Sequence, residues 1–506
     1  MFKSTLVFLL FSTLLFAQDS NRYTDSLFNF NQVVTDGIYA TAPEVNKPYQ
    51  GQNMTHDEDL KFHLYTPAND TLKLRPLLIC IHGGGFTSGN KEHDDMMEFC
   101  KLFAKNGYVT ATIQYRLGLS FTSNVSATRA VYRGIQDGRA AIRFFKENAN
   151  LYGIDTNYIY LLGSSAGAFV SLHNLFMNEE SERPSETYQI SNIPPTANDG
   201  PDLGSLDAIN PTLKHGSHPN GVISLWGAIQ NTELIKASDG NIPLFLIHGM
   251  VDGTVPFDVG HPFGLPTLPK TYGSKPINER LINLGFNSDT YFVPNEDHEF
   301  YGVSNGMWSP APNTYWDTVV TKTSEFLWSI HKPIANFNYT NEKNQFYFTD
   351  NSTGASKWNW DFGDGAKSNE SNPSHFYSVH GDYKVTLIAK NEIESWDTIS
   401  TVVTAPMIIS VDDPSADGPT KFELAQNYPN PFNPTTKISF SIPQSARVAI
   451  TVYNSLGQEI AELVNRDFSA GNHSVNFDGS NLSSGMYFYT LKSAGYVKTM
   501  KMMLVK

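Results

Sequence analysis

Residues Gly163, Ser164, Ser165, Ala166 and Gly167 form a Gly-x-Ser-x-Gly turn between an apolar run and the start of a helical stretch. Glycines on both sides permit a sharp strand-to-helix turn that lifts a serine Oγ above the sheet. The helix N-terminus behind it favours developing negative charge. Ser165 is therefore the candidate nucleophile. The pattern recurs at Gly302, Val303, Ser304, Asn305 and Gly306, but Ser304 has no buried strand before it, and Trp308, Ser309 and Pro310 stand where a helix should begin. Upstream, the apolar run 77–82 leads into Gly83, Gly84, Gly85 and Phe86. Three glycines after a core strand let the backbone approach a substrate and expose N–H groups, as an oxyanion hole requires.

A serine hydroxyl is a poor nucleophile without a base, and the base needs an orienting carboxylate. Asp252 follows the strand-like run 243–248 directly, which puts it on the same rim of a sheet as Ser165; Asp258 is a more distant rival. His298 follows the strand-like run 290–293, whereas His261 lies in a Pro-rich loop and His331 at the end of the domain. His82 and His248 adjoin the site at strand ends and read as structural histidines holding their loops. Phe86, Trp226 and Met250 are candidates for an apolar acyl pocket.

These residues resemble the esterase and lipase branch of the α/β-hydrolase superfamily, whose His-Gly-Gly-Gly loop matches His82 to Gly85. The resemblance extends to Tyr115 and Arg116, to Asp137, Gly138, Arg139, Ala140 and Ala141, and to Gly153, Ile154 and Asp155, covering most of residues 50–332. It implies the chain order Ser, Asp, His, and oxyanion N–H groups from Gly84, Gly85 and Ala166. It also implies a Ser165–His298–Asp252 triad working through an acyl-enzyme, with no metal or cofactor required. The family usually has Gly before its histidine, where this sequence has Asp297. Activity should rise with pH as a histidine is deprotonated, since only the neutral imidazole is a base.

The elements that must position these groups alternate through residues 18–332. Buried runs at 77–82, 108–114, 158–163, 221–226 and 243–248 are separated by amphipathic stretches such as 94–105 and 129–148. That alternation predicts an α/β domain with a mostly parallel sheet, here an α/β-hydrolase three-layer sandwich. Residues 178–219 break the pattern with six prolines and read as a lid or insertion. Cys80 and Cys100, the only cysteines, read as buried small hydrophobes and rule out a disulfide framework.

Residues 1–17 hold one lysine and a short apolar core, the pattern of a signal peptide, and no later run approaches a transmembrane helix. With 506 residues, a chain of this length needs several domains. The formal charge of −14, concentrated in residues 18–332, argues against a nucleic-acid partner. Residues 333–409 change to short alternating strands. Trp358, Asn359, Trp360, Asp361, Phe362, Gly363, Asp364 and Gly365 resemble a PKD domain, an immunoglobulin-like sandwich, with both tryptophans read as core rather than a sugar platform. Residues 410–420 are a polar linker. Residues 421–506, with Asn427, Tyr428, Pro429, Asn430, Pro431, Phe432, Asn433 and Pro434 near their start, resemble the C-terminal sorting domain of the type IX secretion system of Bacteroidota and their relatives. Both modules are expected to be all-β sandwiches.

The expectation is a secreted or surface-attached serine carboxylic ester hydrolase, acting on feruloyl or acetyl esters of plant polysaccharide or on small esters. The ester and the secretion machinery would be its partners. A polyester hydrolase or lipase is the runner-up. A non-catalytic surface adhesin with a hydrolase fold is the alternative from another class, and it would require a missing triad member.

Overall fold

The structure is a computed structural model that describes residues 22–406 and 419–506. The expected signal peptide, 1–17, and most of the expected linker, 410–420, lie outside the described residues. Two compact units result, Met1–Pro406 and Met407–Lys506. Among the described residues no helix is long and apolar enough to cross a membrane.

The first unit is built on an eight-stranded sheet. Its strands are β1 (Phe30–Val45), β2 (Thr55–Pro67), β3 (Arg75–Ile81), β4 (Val109–Ile113), β5 (Ile154–Ser164), β6 (Gly221–Leu225), β7 (Leu244–Gly249) and β8 (Asp289–Val293). Their order is β1-β2-β4-β3-β5-β6-β7-β8. The six strands from β4 to β8 run parallel, and β1 and β2 add an antiparallel edge. Every residue of β3, β4, β6 and β7 is buried, as expected of parallel strands covered on both faces. The covering helices are α1 (Asp94–Lys105), α2 (Asn124–Glu147), α3 (Ala166–Phe176), α4 (Ser274–Asn283) and α5 (Thr314–His331). Helix α2 begins five residues before the stretch that its apolar periodicity marks, because the Ser123 hydroxyl accepts the Ser126 N–H and caps it. Cys80 and Cys100 are free thiols buried in one apolar cluster between the sheet and α1.

The strands beyond α5 pack as a three-stranded and a four-stranded antiparallel sheet around Phe346, Phe348, Trp360, Phe362 and Leu387. Trp360 is core, its indole N–H donating to the Glu370 carbonyl (2.9 Å). This sandwich is plugged into the α/β domain. The hairpin between Gly381–Lys390 and Trp396–Ala405 carries Ile393, fully buried in the cluster that also holds Tyr23, Tyr108, Tyr160 and Phe326. Around it, Tyr23 Oη donates to the Ile393 carbonyl (2.6 Å) and Asn391 Nδ2 to the His331 carbonyl (2.7 Å). Lys332 pairs with Asp397 (2.7 Å).

The second unit has a three-stranded and a four-stranded antiparallel sheet around Ile438, Phe440, Ile450, Val452, Tyr489 and Leu491.

Candidate active site

Ser165 sits at the turn from β5 into α3 with φ 52° and ψ −115°, a conformation a non-glycine residue adopts only where its surroundings enforce it. The two glycines explain how. A Cβ on Gly163 would lie 2.2 Å from the Gly167 carbonyl oxygen, and one on Gly167 would lie 2.1 Å from that of Ile81. Strand, turn and helix can therefore close on one another only with glycine at both places. Ser304, in the other Gly-x-Ser-x-Gly match, lies exposed on a two-residue strand paired with Met307–Trp308 and makes no such turn.

His298 bridges Ser165 and Asp252. Its Nε2 lies 3.0 Å from Ser165 Oγ and its Nδ1 2.7 Å from Asp252 Oδ2. The Asp252 carboxylate is held on both oxygens, Oδ1 accepting the Thr254 and Val255 N–H groups (2.8 Å each) and Oδ2 meeting His298. His248 Nε2 approaches the same Oδ2 at 3.2 Å. Burial alone would push this carboxyl up. The two histidine hydrogen bonds outweigh it and hold the group well below the usual carboxylate range. Asp258, the rival, pairs instead with Lys275 at the surface. His261 bonds the Leu268 carbonyl (2.7 Å), and His331 lies between Tyr108 and Ser395.

After β3 the chain passes through Gly84 (φ 106°) and Gly85 (φ 59°) beside the serine; a Cβ on Gly83 would stand 3.3 Å from Ser165 Cβ. The Gly83 carbonyl is pinned by His82 Nδ1 (2.7 Å) and Tyr115 Oη (3.2 Å), which fixes the loop's orientation. Burial, followed by the neighbouring His93, pushes His82 down to about 3, so it stays neutral. Among the described residues the Gly84 and Gly85 N–H groups meet no acceptor. Both glycines are half-buried, and their free N–H groups flank the nucleophile together with Ala166, the first residue of α3.

A cavity of about 790 Å³, counting space open to solvent, lies over Ser165. Helix α2 supplies Val131, Tyr132 and Ile135 to its wall, α3 supplies Phe169, and residues 256–273 supply Pro262, Phe263, Leu268, Pro269 and Thr271. Among the described residues no Asp, Glu, Lys or Arg lines it. Its one histidine, His173, donates from Nδ1 to the Phe169 carbonyl (2.7 Å) and accepts the Gln230 N–H at Nε2 (3.2 Å); burial pushes it down to about 4, so it is neutral. Of the three candidate pocket residues, Phe86 lines this cavity and Trp226 and Met250 do not. Trp226 is buried beneath the site, its indole N–H donating to Ser164 Oγ (3.1 Å) and its ring edge-on to His298 (centroids 5.8 Å apart). The Met250 N–H is tied to the Val293 carbonyl (2.9 Å), and its side chain is 45% exposed on the outside of the acid loop.

Of residues 178–219, only Pro184 reaches the cavity wall. Side chains of α2 stitch that segment down: Arg129 donates to the Glu186 and Tyr188 carbonyls, Gln136 to those of Leu203 and Ser205, and Arg139 and Arg143 pair with Asp207. Sequence reading missed the contribution of 256–273, which lacks a regular period, and the second histidine on Asp252, for which the four-residue spacing of His248 and Asp252 was the available signal. Among the described residues two carboxylate–histidine groups could hold a metal, Asp36/His63/Glu92 and Glu44/His56/Glu58. Lys91 already pairs with both carboxylates of the first and Lys47 with Glu44 of the second.

Residues 62–195 match the BD-FAE family model, residues 331–405 that of the PKD domain, and residues 426–506 that of the secretion system C-terminal sorting domain. Gut esterase 1 of Caenorhabditis elegans is 39% identical over 94 residues, 18% of this chain and 17% of that protein. Carboxylesterase 3B of Mus musculus is 32% identical over 124 residues, 24% of this chain and 21% of that protein. The chain thus spans 17–21% of the length of these relatives. The solved structure of Thermogutta terrifontis esterase 2 phosphonylated by cyclosarin superposes with a TM-score of 0.39 at 18% identity, covering 59% of this chain and 94% of that one. In order along its length, the chain carries a BD-FAE domain of α/β-hydrolase fold, a PKD domain and a secretion system C-terminal sorting domain.

Proposed function

We propose that the first unit is a serine carboxylic ester hydrolase. The observation that carries this reading is the line of hydrogen bonds from Ser165 Oγ through His298 to Asp252 (3.0 and 2.7 Å), beside the acceptor-free N–H groups of Gly84 and Gly85. In the proposed mechanism Ser165 attacks the ester carbonyl while His298 Nε2 takes its proton. Asp252 stabilises the imidazolium through Nδ1–H. The tetrahedral oxyanion is received by the N–H groups of Gly84, Gly85 and Ala166. His298 then gives its proton to the departing alkoxide, and water, activated by the same imidazole, cleaves the acyl-enzyme.

The uncharged apolar cavity supports a substrate whose buried part is a neutral alkyl or aryl group. Among the ester groups of plant polysaccharide this favours feruloyl over acetyl, because an acetyl methyl would leave most of the wall unfilled. Phe263 on the cavity wall and Phe121 edge to face with it at 5.2 Å, each about two-fifths exposed, favour a polyester or lipid ester as the second reading. Export through the type IX system, which the C-terminal sorting domain indicates, is compatible with a substrate outside the cell.

Hydrolysis of a p-nitrophenyl ester series, methyl ferulate, acetylated xylan and an aromatic polyester tests both levels. Ser165→Ala should lower kcat at least about a thousandfold with the fold retained by circular dichroism. Undiminished turnover in that variant would overturn the mechanism, and a preference for acetylated xylan over methyl ferulate would overturn the substrate class.

A further inference from the structure

Resting on that reading, we infer that Asp297 is a positioning residue, which locks the loop bearing the acid to the loop bearing the base. The loop after β7 and the loop after β8 run side by side, and besides the His298–Asp252 contact itself three hydrogen bonds among the described residues join them. Met250 N–H donates to the Val293 carbonyl (2.9 Å) and Val251 N–H to the Glu296 carbonyl (3.1 Å). Both are backbone pairs that almost any sequence could make. The third depends on residue identity: Asp297 Oδ1 accepts the Gly253 N–H (2.8 Å) and, with the same oxygen, the His298 N–H (2.8 Å).

The place of this third bond gives it its role. Gly253 directly follows Asp252 and Asp297 directly precedes His298. One carboxylate oxygen therefore ties the residue that follows the acid to the backbone of the base, beside the 2.7 Å contact between His298 Nδ1 and Asp252 Oδ2. A carboxylate accepting two N–H groups makes charge-assisted bonds of roughly twice the ordinary strength. Glycine, which is usual before the histidine in the resembling family, has no side chain to do this. In this chain the register of acid and base is thus set by a side chain at the position where the sequence departs from the common pattern. Asp297 touches neither substrate nor the reacting atoms, and it acts through His298.

The test compares Asp297→Ala with Asp297→Asn in the full mature chain. The amide oxygen of asparagine can accept both N–H groups, so Asp297→Asn should keep more than half of kcat. Asp297→Ala should lose about tenfold in kcat with KM within about twofold, as expected when a base is displaced by a fraction of an ångström. Hydrogen exchange supplies a readout independent of turnover: peptides covering 250–254 and 296–299 should exchange faster in Asp297→Ala than in Asp297→Asn or wild type. Unchanged exchange in Asp297→Ala, a loss confined to KM, or an equal fall in kcat for both variants would overturn the clamp. Absence of ester hydrolysis by the wild-type chain would defeat the enzymatic reading, while exchange would still decide the clamp.

Discussion

His248 and His298 converge on one oxygen of Asp252: His298 Nδ1 lies 2.7 Å from Oδ2 and His248 Nε2 lies 3.2 Å from it. His248 is fully buried at the end of β7, four residues before the aspartate, with its Nδ1 against Ser274 Oγ (2.8 Å) at the start of α4. Its Nε2 also faces the Val255 carbonyl (3.0 Å) and therefore carries the proton, so the bond to Asp252 is a donation. His248 thus stabilises the ionised carboxylate and fixes its orientation through the same oxygen that His298 meets. Replacing it by Leu removes one charge-assisted bond worth about 1.5–3 kcal/mol. We expect His248→Leu to lower kcat by about tenfold or more while KM moves little, and His248→Gln, which keeps a donor, to lose less. Equal kcat in wild type and His248→Leu, measured by initial rates on a short-chain p-nitrophenyl ester, would remove His248 from the mechanism.

The wall of the cavity makes a second prediction. Val131 and Ile135 stand one turn apart on α2 and line the same cavity as Phe263 and Leu268 from residues 256–273. Filling this space from the helix side should penalise long acyl groups and spare short ones, since discrimination in an apolar pocket amounts to about 1–3 kcal/mol per methylene. Val131→Trp is expected to reduce kcat/KM for an octanoate ester at least about tenfold more than for an acetate ester. A parallel fall for every chain length would show that the acyl group lies elsewhere.

How much of this was legible beforehand depends on how local each signal is. The nucleophile turn and the glycine loop are contiguous, and their glycines are dictated by contacts within a few residues or with the adjacent strand, so they stand out in the sequence. The parallel strands were legible too, because burial on both faces leaves unbroken apolar runs such as Leu77 to Ile81. Strands β1 and β2 escaped because an edge hairpin with one exposed face mixes Asp, Glu, His and Lys into its pattern. The pocket escaped for a different reason. Trp226 and Met250 adjoin site residues in sequence, yet one points beneath the base and the other out to solvent, whereas Phe263 reaches the cavity wall from a loop 98 positions beyond Ser165. Chain proximity says nothing about the direction in which a loop side chain points.

The docking of the PKD sandwich predicts that the α/β domain depends on it. Ile393 fills a site in the hydrophobic cluster behind the sheet, and His331 lies buried against Tyr108 Oη (2.8 Å) and Ser395 Oγ (3.1 Å), with burial pushing it down to about 3 and keeping it neutral. Removing residues 333–406 would open that cluster to water. Ile393→Ala should cost about 2–5 kcal/mol, and Ile393→Asp more, because it buries a charge with no partner. We expect a fall in Tm on the order of 5 °C or more for Ile393→Asp, with ester hydrolysis lost at the same temperature as the fold. Wild-type melting of this variant, or of a chain ending at residue 332, would mean that the sandwich only rests on the domain.

Asp95 makes the last prediction, and its sign is opposite to that of Asp252. It lies fully buried in the first turn of α1, with Oδ2 accepting from Tyr301 Oη and Oδ1 from the Met96 N–H (2.7 Å each). Burial pushes its carboxyl up to about 7, against the downward pull of the Tyr301 hydrogen bond. A folded-state value above the unfolded one, 3.8, means that the folded chain holds this proton more tightly. The stability it contributes is therefore fully present below about pH 4 and is lost progressively as pH rises towards 7, levelling off above that, with a full linkage on the order of 4 kcal/mol. Asp95→Asn has no such proton to lose. Whatever constant offset the substitution brings, Tm of Asp95→Asn minus Tm of wild type should climb between pH 5 and 7 and flatten by pH 8, since every other titrating group cancels in the difference. A difference that is flat across that window would show that Asp95 is already ionised in the fold at pH 5, stabilised by Tyr301 and the α1 N-terminus more strongly than burial opposes it.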